Sequence, residues 1–199
     1  DALLHRTMQG DNNPAPDIWM PTADDVIGRQ VLLVPRVGEL MAWIRQPAIL
    51  AEVLRKAGLE CAIFSDTVAD PTSDVIAAGV KAYCSGGHDS LISIGGGSPI
   101  DTAKGIGMIV ANGGHPRDYK VPNPIPKASP PHIAIPTTAG TGSEVTRFTV
   151  IIDSERQEKM LIAGGPLLPA AAVVDYELSM SMPPRLTADT GTDSLTHAI

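Results

Sequence analysis

Short apolar runs without polar alternation recur along this chain, each followed by a segment with helical spacing, and few architectures tolerate that order. QVLLV (30–34) precedes PAILAEVLRKAG (47–58), which ends on Gly58. LECAIF (59–64) precedes PTSDVIAAGVKAYC (71–84), and SLISIG (90–95) precedes PIDTAKGIGMIVAN (99–112). A strand whose neighbours are all apolar is covered on both faces, and strands alternating with helices predict a parallel sheet with crossover helices. The texture then changes. NGGHPRDYKVPNPIPKASPP (112–131) carries six prolines and reads as a loop, and HIAIP (132–136) is another buried strand. EVTRFTVIID (144–153) alternates and is separated by SERQE from KMLIA (159–163), which predicts an antiparallel hairpin. AAVVD (171–175) reads as a last strand, and MPPRLTADTGTDSLTHAI (182–199) begins helices. No internal repeat interrupts this order.

Composition narrows the function classes. A chain of 199 residues, 43% hydrophobic and 19% charged, suffices for one large or two small cores. Its formal charge of −7 and pI near 5.1, with no Lys/Arg cluster, exclude a nucleic-acid footprint. No apolar stretch reaches the roughly 18–20 residues of a membrane span, and no secretory signal pattern opens the chain. The expectation is a soluble, cytoplasmic protein. Cys61 and Cys84 form neither a disulfide framework nor a metal pair, so they are expected to be buried, inert thiols in a reducing compartment.

Three stretches carry chemistry. In SIGGGSPID the strand is expected to end at Ile94, with Ser98 at the helix N-cap, Pro99 at the first helical position and Asp101 completing a capping box. The glycines bare the backbone where a helix N-terminus begins, which is an anion site most often used by phosphate. A tight strand-to-helix turn is the other reading, and the spacing is not G-x-G-x-x-G. IPTTAGTGSEVT (135–146) follows another strand, with Thr137, Thr138, Thr141 and Ser143 as hydroxyl donors and Gly140 and Gly142 letting the chain fold back. Alone it could be a Ser/Thr-rich turn. Two such loops at strand C-terminal ends favour a shared nucleotide crevice. Third, Asp193 and His197 stand four apart, which on a helix puts a carboxylate and an imidazole on one face, as a surface pair or as metal ligands. His5, His88, His115 and His132 read as solvated or structural, and Trp19, Trp43 and the methionines as packing.

GGGSPIDTAKGIG, the proline-rich loop, IPTTAGTGSEVT and MPPRLTADTGTDSLTHAI occur in the order of the iron-containing (group III) alcohol dehydrogenase family, which the chain resembles from about Leu54 to Ile199. The resemblance implies an α/β, Rossmann-like dinucleotide-binding domain at 29–180, with 181–199 starting an all-helical metal-binding domain; residues 1–28, with DNNPAPD in the middle, do not resemble the family's opening strands and read as an irregular leader. It further implies NAD or NADP, an alcohol or aldehyde substrate, and a divalent metal, Fe²⁺ or Zn²⁺, in the cleft. By carry-over Gly96, Gly97 and Ser98 would hold the pyrophosphate, with Asp101 in the same cofactor-binding set. Thr137, Thr138, Thr141 and Thr146 would contact the nicotinamide half, Lys159 would be a further cofactor contact, and Asp193 and His197 the first two metal ligands.

The metal would polarise the substrate oxygen while the nicotinamide carries the hydride. The family draws two more histidine ligands from its helical domain, so this chain is expected to be its nucleotide half, with activity incomplete. Arg36, where the family commonly has an Asp on the ribose, would suit NADP, or be an ordinary surface arginine. Apolar surface meant for a further domain would favour a homo-oligomer. Two other functions remain: a non-catalytic dinucleotide-binding module, and a metal-dependent lyase like dehydroquinate synthase.

Overall fold

The computed structural model describes residues 47–199; the leader at 1–28, the strand expected at 30–34, and His5, Trp19, Arg36 and Trp43 lie outside the described residues. The chain enters through helix α1 (Pro47–Lys56) and helix α2 (Ser73–Ser85), then strand β1 (Leu91–Gly95) and helix α3 (Gly97–Asn112). Strand β2 (His132–Pro136), the hairpin strands β3 (Phe148–Asp153) and β4 (Glu158–Ala163), strand β5 (Ala171–Ala172) and helix α4 (Pro184–Ala198) follow. β1, β2 and β5 form one parallel sheet in that order, and β3–β4 pair antiparallel from Phe148↔Ala163 to Asp153↔Glu158. This is the expected α/β arrangement with an added hairpin.

Helix α3 is the centre of the molecule. It packs on β1 and β2, on β3 and on α2, and every residue from Thr102 to Ile109 is buried. Small residues make that possible. A Cβ at Gly105 would stand 2.7 Å from the Ile76 methyl and 2.8 Å from the Ile151 methyl, so the glycine lets α2 and the hairpin close on the helix. Ile76, Ile106, Met108, Ile151, Met160 and Ile162 fill the space between these elements. Along β3 the residues Thr149, Ile151 and Asp153 are buried and alternate with more open ones; the buried face takes polar Thr149 and Asp153 while Phe148 is exposed, the reverse of what side-chain hydropathy alone would place inside. Asp153, fully buried at the hairpin end, is held by Arg117 from the proline-rich loop at 2.9 and 3.0 Å, and Lys120 pairs with Glu158 beside it. The long loop is thereby tied to the hairpin by charge, together with a single antiparallel bridge of Lys120 to Ile162 and the Val121 N–H on the Leu161 carbonyl at 3.0 Å.

Four expectations are corrected. Residues 59–64 form no strand, Leu59 and Ile63 are exposed, and none of the strands among the described residues pairs with them. Residues 144–147 do not begin the hairpin, because Ser143–Val145 close a 3₁₀ turn and β3 starts at Phe148. The strand at 171–175 shrinks to Ala171–Ala172, the two residues that lie opposite Ile133 and Ala134. Cys84 is exposed near the end of α2, whereas Cys61 is half-buried with its thiol 3.4 Å from the Ala51 carbonyl. Of the expected helical domain, the described residues contain α4. No helix among the described residues is long and apolar enough to cross a membrane.

His132 crosses from β2 to β1, its Nε2 sharing a 2.7 Å hydrogen bond with the Ser93 hydroxyl, and it is 5% exposed. Burial, reinforced by the Lys104 ammonium, pulls its imidazole down to about 4. An unfolded histidine takes up a proton near pH 6.5 while this one stays neutral, so its contribution is present above about pH 6.5 and is lost as pH falls toward 4. The loss is on the order of 3 kcal/mol. Urea unfolding between pH 7 and 4 should therefore show a shallower pH slope for His132→Asn than for the parent; equal slopes would contradict the assignment.

Candidate functional site

Strands β1 and β2 end level, Gly95 opposite Pro136, and the Thr137 N–H donates to the Gly95 carbonyl at 2.8 Å. The two glycine loops therefore leave the sheet side by side. Gly95 has φ +148°, a backbone state side chains rarely adopt, and it turns the chain directly into α3. The cap is Gly96, not Ser98: Gly96 is extended and makes no side-chain cap bond, and the helix begins at Gly97, so Ser98 is already its second residue. The expected capping box does not form. Asp101 instead accepts from the Val150 N–H at 3.1 Å while the Thr149 hydroxyl donates to its carbonyl at 3.1 Å, fastening α3 to the hairpin. Burial pushes the Asp101 carboxyl up, against the Val150 bond that favours its charge.

Without a side-chain cap, the first amides of α3 face outward with no intrahelical acceptor, and the helix dipole adds to their positive field. Hydroxyls line the other side. A Cβ at Gly96 would lie 2.8 Å from the Thr138 hydroxyl, and one at Gly97 would lie 3.3 Å from the Ser143 hydroxyl and 3.5 Å from Thr141. The bare backbone and the hydroxyl loop thus form one cradle, the geometry that binds a phosphate or diphosphate. Beside it, Thr137 and Thr138 open into a cleft of about 290 Å³ walled by Ile94, Leu178, Met182 and Leu186.

Thr146 lies at the far end of the second loop, where its carbonyl and hydroxyl accept from Lys104 at 3.0 and 3.2 Å. Sequence reading passed over Lys104; the signal was a lone charge inside TAKGIGMIV, a segment with no polar face to hold it. Lys159 is placed elsewhere, on β4, with its ammonium 3.1 Å from Asp70 in an exposed pair.

Helix α4 docks on the second loop. The Ser194 hydroxyl donates to the Gly140 carbonyl at 2.9 Å, and the Ala139 N–H reaches the Met182 sulfur at 3.3 Å. Asp193 and His197 lie one turn apart on that helix. They are hard-oxygen and imidazole donors of the kind Fe²⁺ or Zn²⁺ takes. No group of three or more metal-ligating side chains occurs among the described residues, whereas a catalytic metal is normally held by three protein ligands. The donor set on the described residues is therefore incomplete.

An open parallel sheet with paired glycine loops at its strand C-termini, one opening a helix, is a nucleotide-binding architecture. Residues 25–176 match the family described as iron-containing alcohol dehydrogenase, and the chain belongs to that family. It is 46% identical over 150 residues to a NAD-dependent methanol dehydrogenase of Bacillus methanolicus, an alignment covering 75% of this chain and 39% of that one. A crystal structure of a 1,3-propanediol oxidoreductase superposes with a TM-score of 0.72 at 34% identity, over 78% of this chain and 41% of the other. A sulfoacetaldehyde reductase from Bifidobacterium kashiwanohense, solved in complex with NAD⁺, superposes at 0.66 and 32% identity, over 73% and 40%. The chain thus spans about two-fifths of the length of each.

The contact between Gly140 and α4 is testable. Gly140 has φ +126°, and a Cβ there would stand 2.5 Å from the Thr190 carbonyl oxygen, a backbone atom that cannot swing aside. Gly140→Ala should cost roughly 1–3 kcal/mol and release α4. Limited proteolysis should then cut the 184–198 segment faster than in the parent; unchanged cleavage would contradict the docking.

Proposed function

We propose that the chain is the dinucleotide-binding part of an oxidoreductase that moves a hydride between an alcohol and the corresponding aldehyde or ketone, with NAD as cofactor. The observation that carries this reading is the cradle itself: a helix start at Gly97 with no side-chain cap, whose bare Gly96–Gly97 backbone lies against the side chains of Thr138, Thr141 and Ser143 at the ends of two parallel strands. The amides of Gly96, Gly97 and Ser98 receive the diphosphate oxygens, and the helix dipole stabilises their charge. Thr137, Thr138, Thr141 and Thr146 orient the nicotinamide half, and the apolar wall of the neighbouring cleft excludes water from a ring lodged there. NAD is favoured by the relative whose name states NAD dependence and by the neighbour solved with NAD⁺.

Asp193 and His197 are proposed as two of the ligands of a divalent metal, Fe²⁺ or Zn²⁺. Asp101 serves this reading as the residue that holds the first turn of α3 against the hairpin. Lys159 is the weakest member of the cofactor set, because its ammonium is engaged by Asp70.

Isothermal titration with NADH tests the cradle. The parent should bind, Gly97→Val should abolish binding by filling the space before Ser143 and Thr141, and Ser98→Ala, which spares the amide, should weaken it no more than about ten-fold. A folded Gly97→Val variant that binds NADH as the parent does would defeat the assignment.

A further inference from the structure

Lys104 is 2% exposed in the middle of α3, and a buried ammonium is unfavourable unless its donors are matched. All three donors are matched: Nζ donates to the Thr146 carbonyl at 3.0 Å, the Thr146 hydroxyl at 3.2 Å and the Phe148 carbonyl at 2.7 Å. Packing alone does not call for this charge. Methionine would fill the same volume without the desolvation cost. The hairpin is also held independently, by its own six-residue register and by Asp101 on the Val150 N–H.

What only the ammonium supplies is direction at Thr146. By occupying a lone pair of the hydroxyl oxygen it obliges the hydroxyl hydrogen to point away from α3. The acceptor on that side within the protein is the Ser143 carbonyl, at a long 3.5 Å. A bond that long is readily exchanged for a better acceptor on a ligand.

We infer that Lys104 is a positioning residue that presents the Thr146 hydroxyl as a hydrogen-bond donor to the nicotinamide half of a bound dinucleotide. This rests on the proposed cofactor role of Thr146. Burial draws the Lys104 ammonium down to about 8, while Asp101 and Glu144 favour its charge, so it keeps three donors at neutral pH.

Two probes separate positioning from structure: NADH, and ADP-ribose, which has the diphosphate and adenosine but no nicotinamide. In titration calorimetry Lys104→Met should weaken NADH by about ten-fold and leave ADP-ribose within about two-fold, one lost hydrogen bond's worth confined to the nicotinamide half. Thr146→Val should give the same split, and the double variant should be no worse than Thr146→Val, the non-additivity expected of residues acting through one contact. If Lys104→Met does not fold, Lys104→Leu, which likewise has no donor for the Thr146 hydroxyl, carries the same comparison. Equal losses on both probes, no loss on NADH, or additive effects overturn the role of Lys104 while leaving the cradle intact. A parent that binds neither probe overturns the cradle, and Lys104 with it.

Discussion

The parallel pairing of β1 with β2, carried to its last residues and closed by the Thr137 N–H on the Gly95 carbonyl, sets the position of everything at the site. That bond fixes where both loops leave the sheet and how far apart they stand. Because Gly95 turns the chain at once into α3, the helix starts at the strand end, with its uncapped amides beside the threonines of the second loop. A longer connection would have let a side chain cap the helix and quench the field that an anion would otherwise meet.

Holding the helix there has a cost, because the middle of α3 is buried and takes with it the charged Lys104 fully and Asp101 in part. Both are turned to use at the hairpin. Asp101 accepts from Val150 and Lys104 donates to Thr146 and Phe148, so the first half of α3 grips β3 and the segment leading into it through directed bonds. Directed bonds fix register where apolar contacts would permit sliding. The result is a rigid frame for loops whose own backbone, rich in glycine, has little rigidity to offer.

The elements that dominate the frame were legible in the sequence. SLISIG, HIAIP and the hairpin are short, strongly patterned and paired with neighbours that the described residues contain, and α3 is long enough for its period to be unmistakable. Failures came where local pattern and context part. Ser98 has the composition of an N-cap, but the cap falls on glycine because the turn out of β1 leaves a single residue, Gly96, between strand and helix. LECAIF has the apolar content of a strand but no partner in the described structure, and AAVVD pairs only as far as β2 reaches it. Cys84 follows the helical period of α2 onto its open side. Lys104 was overlooked because its role depends on acceptors more than forty residues away, at 146 and 148, which no local window contains. The Asp193–His197 spacing was legible and falls on α4, while no group of three or more metal-ligating side chains occurs among the described residues.

The central physical claim is that backbone amides at the start of α3, faced by the hydroxyls of the second loop, hold a diphosphate. A crystal structure of this chain grown with NAD⁺ addresses it most directly. The account predicts diphosphate density within hydrogen-bonding distance of the Gly96, Gly97 and Ser98 amides, with the nicotinamide directed toward Thr146. A dinucleotide well ordered at another surface, with these amides contacting only solvent, would contradict it.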